Sequence, residues 1–163
     1  MSLKRFLALT TCALGLTLIA ATAPAGAAGP TQVLKLFVNH SKFTAVGFDP
    51  RSTSVPPIGS KEIITGALFN SAPQFGKPKG RRVGRFLVDC TVLSEAPDGV
   101  CTGIAHVPNG FFTFVGNGPF TKGFVRFYAV TGGIGPYAHD SGVFKVTNHT
   151  GRVVPDVLVT LFG

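Results

Sequence analysis

The sequence predicts an all-β domain built from eight short strands. Helix signals are almost absent after residue 30, glycine and proline recur every few residues, and the apolar residues are mostly Val, Phe, Ile and Leu. Such residues fit a pleated, half-buried surface, and the Gly/Pro punctuation divides them into short runs. Strands of this number joined by Gly, Pro and Asn turns close into a barrel or stack as a sandwich, and periodicity leaves both open.

The strands do not begin at Met1. Lys4 and Arg5 precede an uncharged apolar run, FLALTTCALGLTLIAATA, and then small residues. This is the three-part pattern of a secretory signal peptide. The expected cleavage falls after Ala25-Gly26-Ala27, which makes residues 1–27 a removed leader and 28–163 a single exported domain. A lipoprotein cysteine would end the apolar run. Cys12 sits inside it and reads as filler. The small-residue exit and the lack of a basic stop-transfer cluster argue against stable membrane insertion. The protein is therefore expected outside the cell.

Leu34, Leu36 and Val38 alternate with Lys35, Phe37 and Asn39, which predicts a first strand over 33–39. PRSTSVPPIGS (50–60) is a loop, because adjacent prolines cannot sit in a central strand. A second strand is expected over 61–70 and a loop over 71–80. The remaining six strands are expected over 81–93, 101–107, 111–115, 124–131, 139–147 and 152–161. The fifth and sixth, FFTFV and FVRFYAV, are apolar on both faces. Their outer side predicts cover by another subunit, since an exposed patch of that size is a liability.

Cys90 and Cys101 are the two cysteines that remain after the leader. An even pair in an exported chain reads as a disulfide, with the DGV segment (98–100) turning the chain between them. The mature domain keeps a formal charge near +6. Its basic run Lys77–Arg82 has no recognition helix or interleaved aromatics beside it, so nucleic acid is not the expected partner. His40, His106, His139 and His149 lie on different strands without metal-ligand spacing, and no metal is expected. No HExxH, GxSxG, P-loop or dinucleotide fingerprint is present.

Polar residues at informative phases supply the candidate chemistry. Phe86, Val88, Cys90 and Val92 share one face of the third strand; Arg85, Leu87, Asp89 and Thr91 share the other. A disulfide then places Thr102, Ile104 and His106 on the side of Asp89. Arg126 and Tyr128 share a face of the sixth strand. Were Asp89, His106, Arg126 and Tyr128 all to point inward, they would give an acid, a base, a cation and a phenol in an apolar cavity. The alternative is that this mixed face is the solvent side or a subunit contact. The chain's 15 phenylalanines and absent tryptophan fit either a packed core or an apolar pocket.

Residues 124–146, FVRFYAVTGGIGPYAHDSGVFKV, resemble the barrel proteins of the allene oxide cyclase and dirigent group in the turn Gly132-Gly133-Ile134-Gly135, then Pro136-Tyr137, then Ser141-Gly142. GRFLVDCTVL (84–93) followed by CTGIAHV resembles the central hairpin of bacterial members. The resemblance implies an exported bacterial protein folded as an eight-stranded antiparallel β-barrel, often trimeric. It also implies a small apolar or aromatic ligand that is cyclised, isomerised or coupled without a cofactor, the coupling branch relying on a separate oxidase for substrate. The chain departs from the group near the end of the first strand: no Asp or Glu lies between Leu34 and Phe48, and His40 is followed by Ser41 rather than an acid. Asn39, His40 and Tyr137 are the expected ligand contacts. A non-catalytic secreted binding protein is the competing expectation.

Overall fold

The computed structural model describes residues 32–51, 54–93, 98–119, 125–149 and 154–163. The expected leader lies outside the described residues. Eight strands follow in order: β1 (Gln32–Val46), β2 (Lys61–Asn70), β3 (Arg82–Val92), β4 (Asp98–Val107), β5 (Gly110–Pro119), β6 (Val125–Ile134), β7 (Ser141–Thr147) and β8 (Asp156–Phe162). Every neighbour pairs antiparallel, and β1 returns to β8 with Val33 opposite Thr160, so the sheet closes on itself as a barrel. Closure removes the unpaired edges that a sandwich would have to protect.

Several boundaries differ from the sequence expectation. β1 runs seven residues beyond Asn39, because a bulge at His40–Ser41 interrupts the alternation and the strand then resumes. His40 adopts a positive φ of 53°, and its backbone N–H donates to Asn39 Oδ1. The extra residue shifts the inward phase from even to odd: Val38 pairs with Leu68, and beyond the bulge Phe43 pairs with Ile64. The expected DGV turn is a correction. Asp98, Gly99 and Val100 belong to β4, with Gly99 opposite Val92, so they are strand and not turn. β7 starts at Ser141, since a 3-10 turn over Gly135–Tyr137 precedes it and removes His139 and Asp140 from the strand.

The lumen is packed by matching sizes. Phe112, Phe114, Tyr128 and Phe144 form one aromatic cluster, with Phe114 and Phe144 stacked at 4.1 Å. Glycines stand opposite the rings: a Cβ on Gly103 would lie 2.3 Å from Phe114, and one on Gly66 would lie 2.5 Å from Phe86. Leu34, Leu36, Val157, Val159 and Leu161 complete the core. Tyr137, only 2% exposed, sits at the end where the β6–β7 turn closes over the barrel; its hydroxyl donates to the Pro108 carbonyl at 3.3 Å and its ring meets Phe112 edge-on. Nearby, the buried Asn70 donates through Nδ2 to the carbonyls of Gln74 and Lys77, which holds the loop after β2 in place.

Candidate functional site

The Cys90–Cys101 disulfide decides which faces point inward. The two residues are directly opposed on β3 and β4, and both are buried in the lumen. Their Cα atoms are 4.0 Å apart, somewhat closer than the roughly 4.4 Å lower bound usual for bridges. Facing partners in an antiparallel ladder sit about 4.5 Å or 5.5 Å apart, so the ladder already holds the two cysteines at bridging distance. Side chains one residue out of phase with the cysteines must point outward.

The four proposed catalytic residues are therefore not brought together. Asp89 and His106 are on the outer face, whereas Arg126 and Tyr128 share the inner phase of β6 with Val130. Tyr128 is buried among Phe114 and Phe144 as a packing group. Asp89 Oδ2 lies 3.6 Å from Lys61 Nζ on the exterior. Of the expected ligand contacts, Asn39 shapes the bulge and Tyr137 plugs the closed end, while His40 projects to the outer face with its ring 6.1 Å from that of Phe69.

Sequence reasoning missed Glu62. It lies in phase with Ile64, Gly66 and Leu68 on β2, the alternation that could have revealed it, and it pairs laterally with Cys90 and Ala45. Strands β2 and β6 are diametrically opposed in an eight-stranded ring, so Glu62 and Arg126 address each other across the lumen. Burial pushes the Glu62 carboxyl above its usual range, and the Arg126 guanidinium pulls it partly back. Phe43, 46% exposed, and the half-buried Ile64 and Val146 share the inner phase on this side of the aromatic cluster. The end opposite Tyr137 thus carries a carboxyl and a guanidinium between apolar walls.

A second concavity lies outside. A cleft of about 710 Å³ crosses β2, β3 and β4, bounded by the β1 bulge. His40 and His106 both line it, together with Lys42, Arg82, Arg85 and an apolar floor. Thus two of the residues singled out from sequence do meet, but on the exterior.

No family model matches the chain, and no curated protein matches it. Solved structures do. A pyocyanin demethylase is 21% identical, with a TM-score of 0.57 over 81% of this chain and 99% of that one. A nonspecific heme-binding cyclase that catalyses a [4 + 2] cycloaddition in neoabyssomicin biosynthesis is 13% identical, with a TM-score of 0.65 over 82% of this chain and 66% of that one. A pterocarpan synthase dirigent protein is 13% identical, with a TM-score of 0.56 over 82% and 83%. What the chain shares with these proteins is the fold, the closed eight-stranded antiparallel barrel of the dirigent and allene oxide cyclase type.

Proposed function

We propose that this barrel binds a small apolar or aromatic molecule at the end of the lumen opposite Tyr137 and steers its isomerisation or cyclisation by proton transfer. One observation carries the reading: Glu62 and Arg126 face each other between apolar walls. A carboxyl with a raised pKa holds its proton more readily than a free one and is the stronger base once ionised. It would take a proton from a carbon beside a carbonyl, Arg126 would hold the oxygen as negative charge develops there, and the same proton would return at a second atom. The balance is closed, with no net gain or loss of electrons. The carboxyl missing from the first strand would come from Glu62, opposite Ala45 on that strand. The molecules named for the structural neighbours, pyocyanin among them, fit a small-ligand role for this fold.

The test needs no natural substrate. In D2O the protein should accelerate deuterium uptake at the α-carbon of 2-tetralone, and Glu62→Gln should abolish the acceleration. An unchanged exchange rate would sink the proton-transfer reading. A second reading, binding without turnover, is favoured by the aromatic cluster of Phe112, Phe114, Tyr128 and Phe144 that occupies the lumen. It predicts saturable binding of neutral N-phenyl-1-naphthylamine with no exchange.

Export and self-association belong to the same proposal. The chain is exported and processed before Ala28, so the secreted protein should begin there on N-terminal sequencing; an intact Met1 would overturn this. It assembles as a trimer through the outer apolar residues of β5 and β6, where Phe127 is 58% exposed. A monomer by light scattering at micromolar concentration would refute the trimer.

A further inference from the structure

The outer face of a barrel is convex, so a cleft on it has a cause. Here two bulges flank it. One is at His40–Ser41 on β1; the other lies opposite Leu68/Phe69, where β3 carries the extra residue Val83. Bulges bend a strand and increase its twist. Between them the outward residues run in ladder rows. Thr65, Leu87 and Ile104 form one row, and Ala67, Arg85 and His106 form the next. The small Ala67, outward between Thr65 and Phe69, leaves room in the middle.

The rim differs sharply from the floor in charge. Lys42, Arg82 and Arg85 line the cleft, and among the described residues no carboxylate lines it. Asp89, one row away from Leu87, is paired with Lys61. Among the described residues none of Lys42, Arg82 and Arg85 has a carboxylate within ion-pair distance. The cleft's volume falls within the range of about 300–1,000 Å³ that small-molecule sites occupy. Uncompensated cations beside exposed Leu87 and half-buried Ile104 complement a molecule with one anionic end and an apolar body.

We propose that this outer cleft is a binding site for a free amphipathic carboxylate, distinct from the lumen. The apolar body lies on Leu87, Ile104 and Phe69, and the carboxylate is held by Arg82 and Arg85, whose forked N–H groups match it. The mature domain's formal charge near +6 adds a long-range attraction for anions. This site does not depend on Glu62 or on any reaction in the lumen.

Decanoate is the probe, decan-1-ol its uncharged control. Calorimetry and methyl NMR would follow both. Decanoate should shift the Leu87 and Ile104 methyls, and decan-1-ol should bind more weakly. Arg82→Gln and Arg85→Gln should each lower decanoate affinity about tenfold or more, as loss of a charge-assisted hydrogen bond does, without changing the melting temperature. Glu62→Gln should leave decanoate binding unaltered. Equal affinity for decan-1-ol, insensitivity to both arginine variants, or shifts confined to the lumen methyls of Leu34 and Val159 would overturn the proposal. So would phosphatidylglycerol vesicles sedimenting with the protein in the absence of decanoate binding, which would assign the cleft to a membrane surface. Shifts of Leu87 that follow protein dilution instead of decanoate would assign it to a second copy.

Discussion

The two faces of the β3–β4 hairpin both carry large apolar residues, and these behave in opposite ways. Inside, Phe86, Val88, Cys90, Cys101 and Ala105 are buried in a lumen where each large ring has an answering gap, Phe114 over Gly103 and Phe86 over Gly66. Outside, Leu87 remains 43% exposed beside Arg85, Ile104 and His106, and the cleft around them is open. An apolar side chain alone does not mark the packed side, since Leu87 is apolar and exposed. Complementary size does: a glycine whose added Cβ would press into a facing ring marks the packed side.

The sharpest test of this contrast is to truncate one apolar residue on each face. Phe114→Ala should cost about 3–5 kcal/mol in denaturant unfolding, the usual loss for a buried aromatic. Leu87→Ala should stay within about 0.5 kcal/mol. Similar losses at the two positions would abolish the distinction. Next in size is the bridge. Replacing Cys90 and Cys101 by serine should cost about 2–3 kcal/mol for so short a loop. Two free thiols in protein taken from an oxidising compartment would remove the premise that the bridge orients the hairpin.

Smaller effects probe the two ends of the lumen. Tyr137→Phe should lose about 0.5–1.5 kcal/mol with its hydrogen bond to Pro108. Burial, followed by the nearby Asp140 carboxylate, raises the Tyr137 pKa, so the folded state favours the neutral phenol. Its contribution is complete below the ordinary tyrosine range and is lost as pH climbs through the raised value. At the other end, the raised Glu62 pKa favours a neutral carboxyl in the folded protein. That contribution is full below the ordinary glutamate range and declines as pH rises. Glu62→Gln should therefore be slightly more stable than the parent at pH 7 and indistinguishable at pH 3, as read by thermal melts. A destabilised variant at pH 7 would show that the pairing with Arg126 outweighs desolvation.

The strand pattern was legible because alternation is a local property. β2 matches its expected limits, and β3 differs by a single residue at each end. The first strand was cut short because a bulge breaks alternation without ending the ladder, and neither His40 nor Ser41 announces one. The resemblance in the Gly132–Gly135 turn supplied closure, which periodicity could not. The candidate site was read less well. Phase grouped Asp89 with His106 correctly, but a period of two has no inside or outside. Only the buried disulfide shows that this group faces out. Glu62 was overlooked because its significance depends on Arg126, 64 positions away in the chain and on the opposite wall of the barrel.

The pairing of Val33 with Thr160 has a consequence for how the chain is made. A ring of strands that closes between its first and last members has no stable partial form. Until β8 is available, β1 offers an unsatisfied edge on one side and β7 offers another. Such edges recruit other chains. A chain that has not yet presented β8 is therefore at its most adhesive, and closure must wait for that strand. Deleting β8 should raise the aggregated fraction on refolding, and adding the β8 segment back as a peptide should lower it.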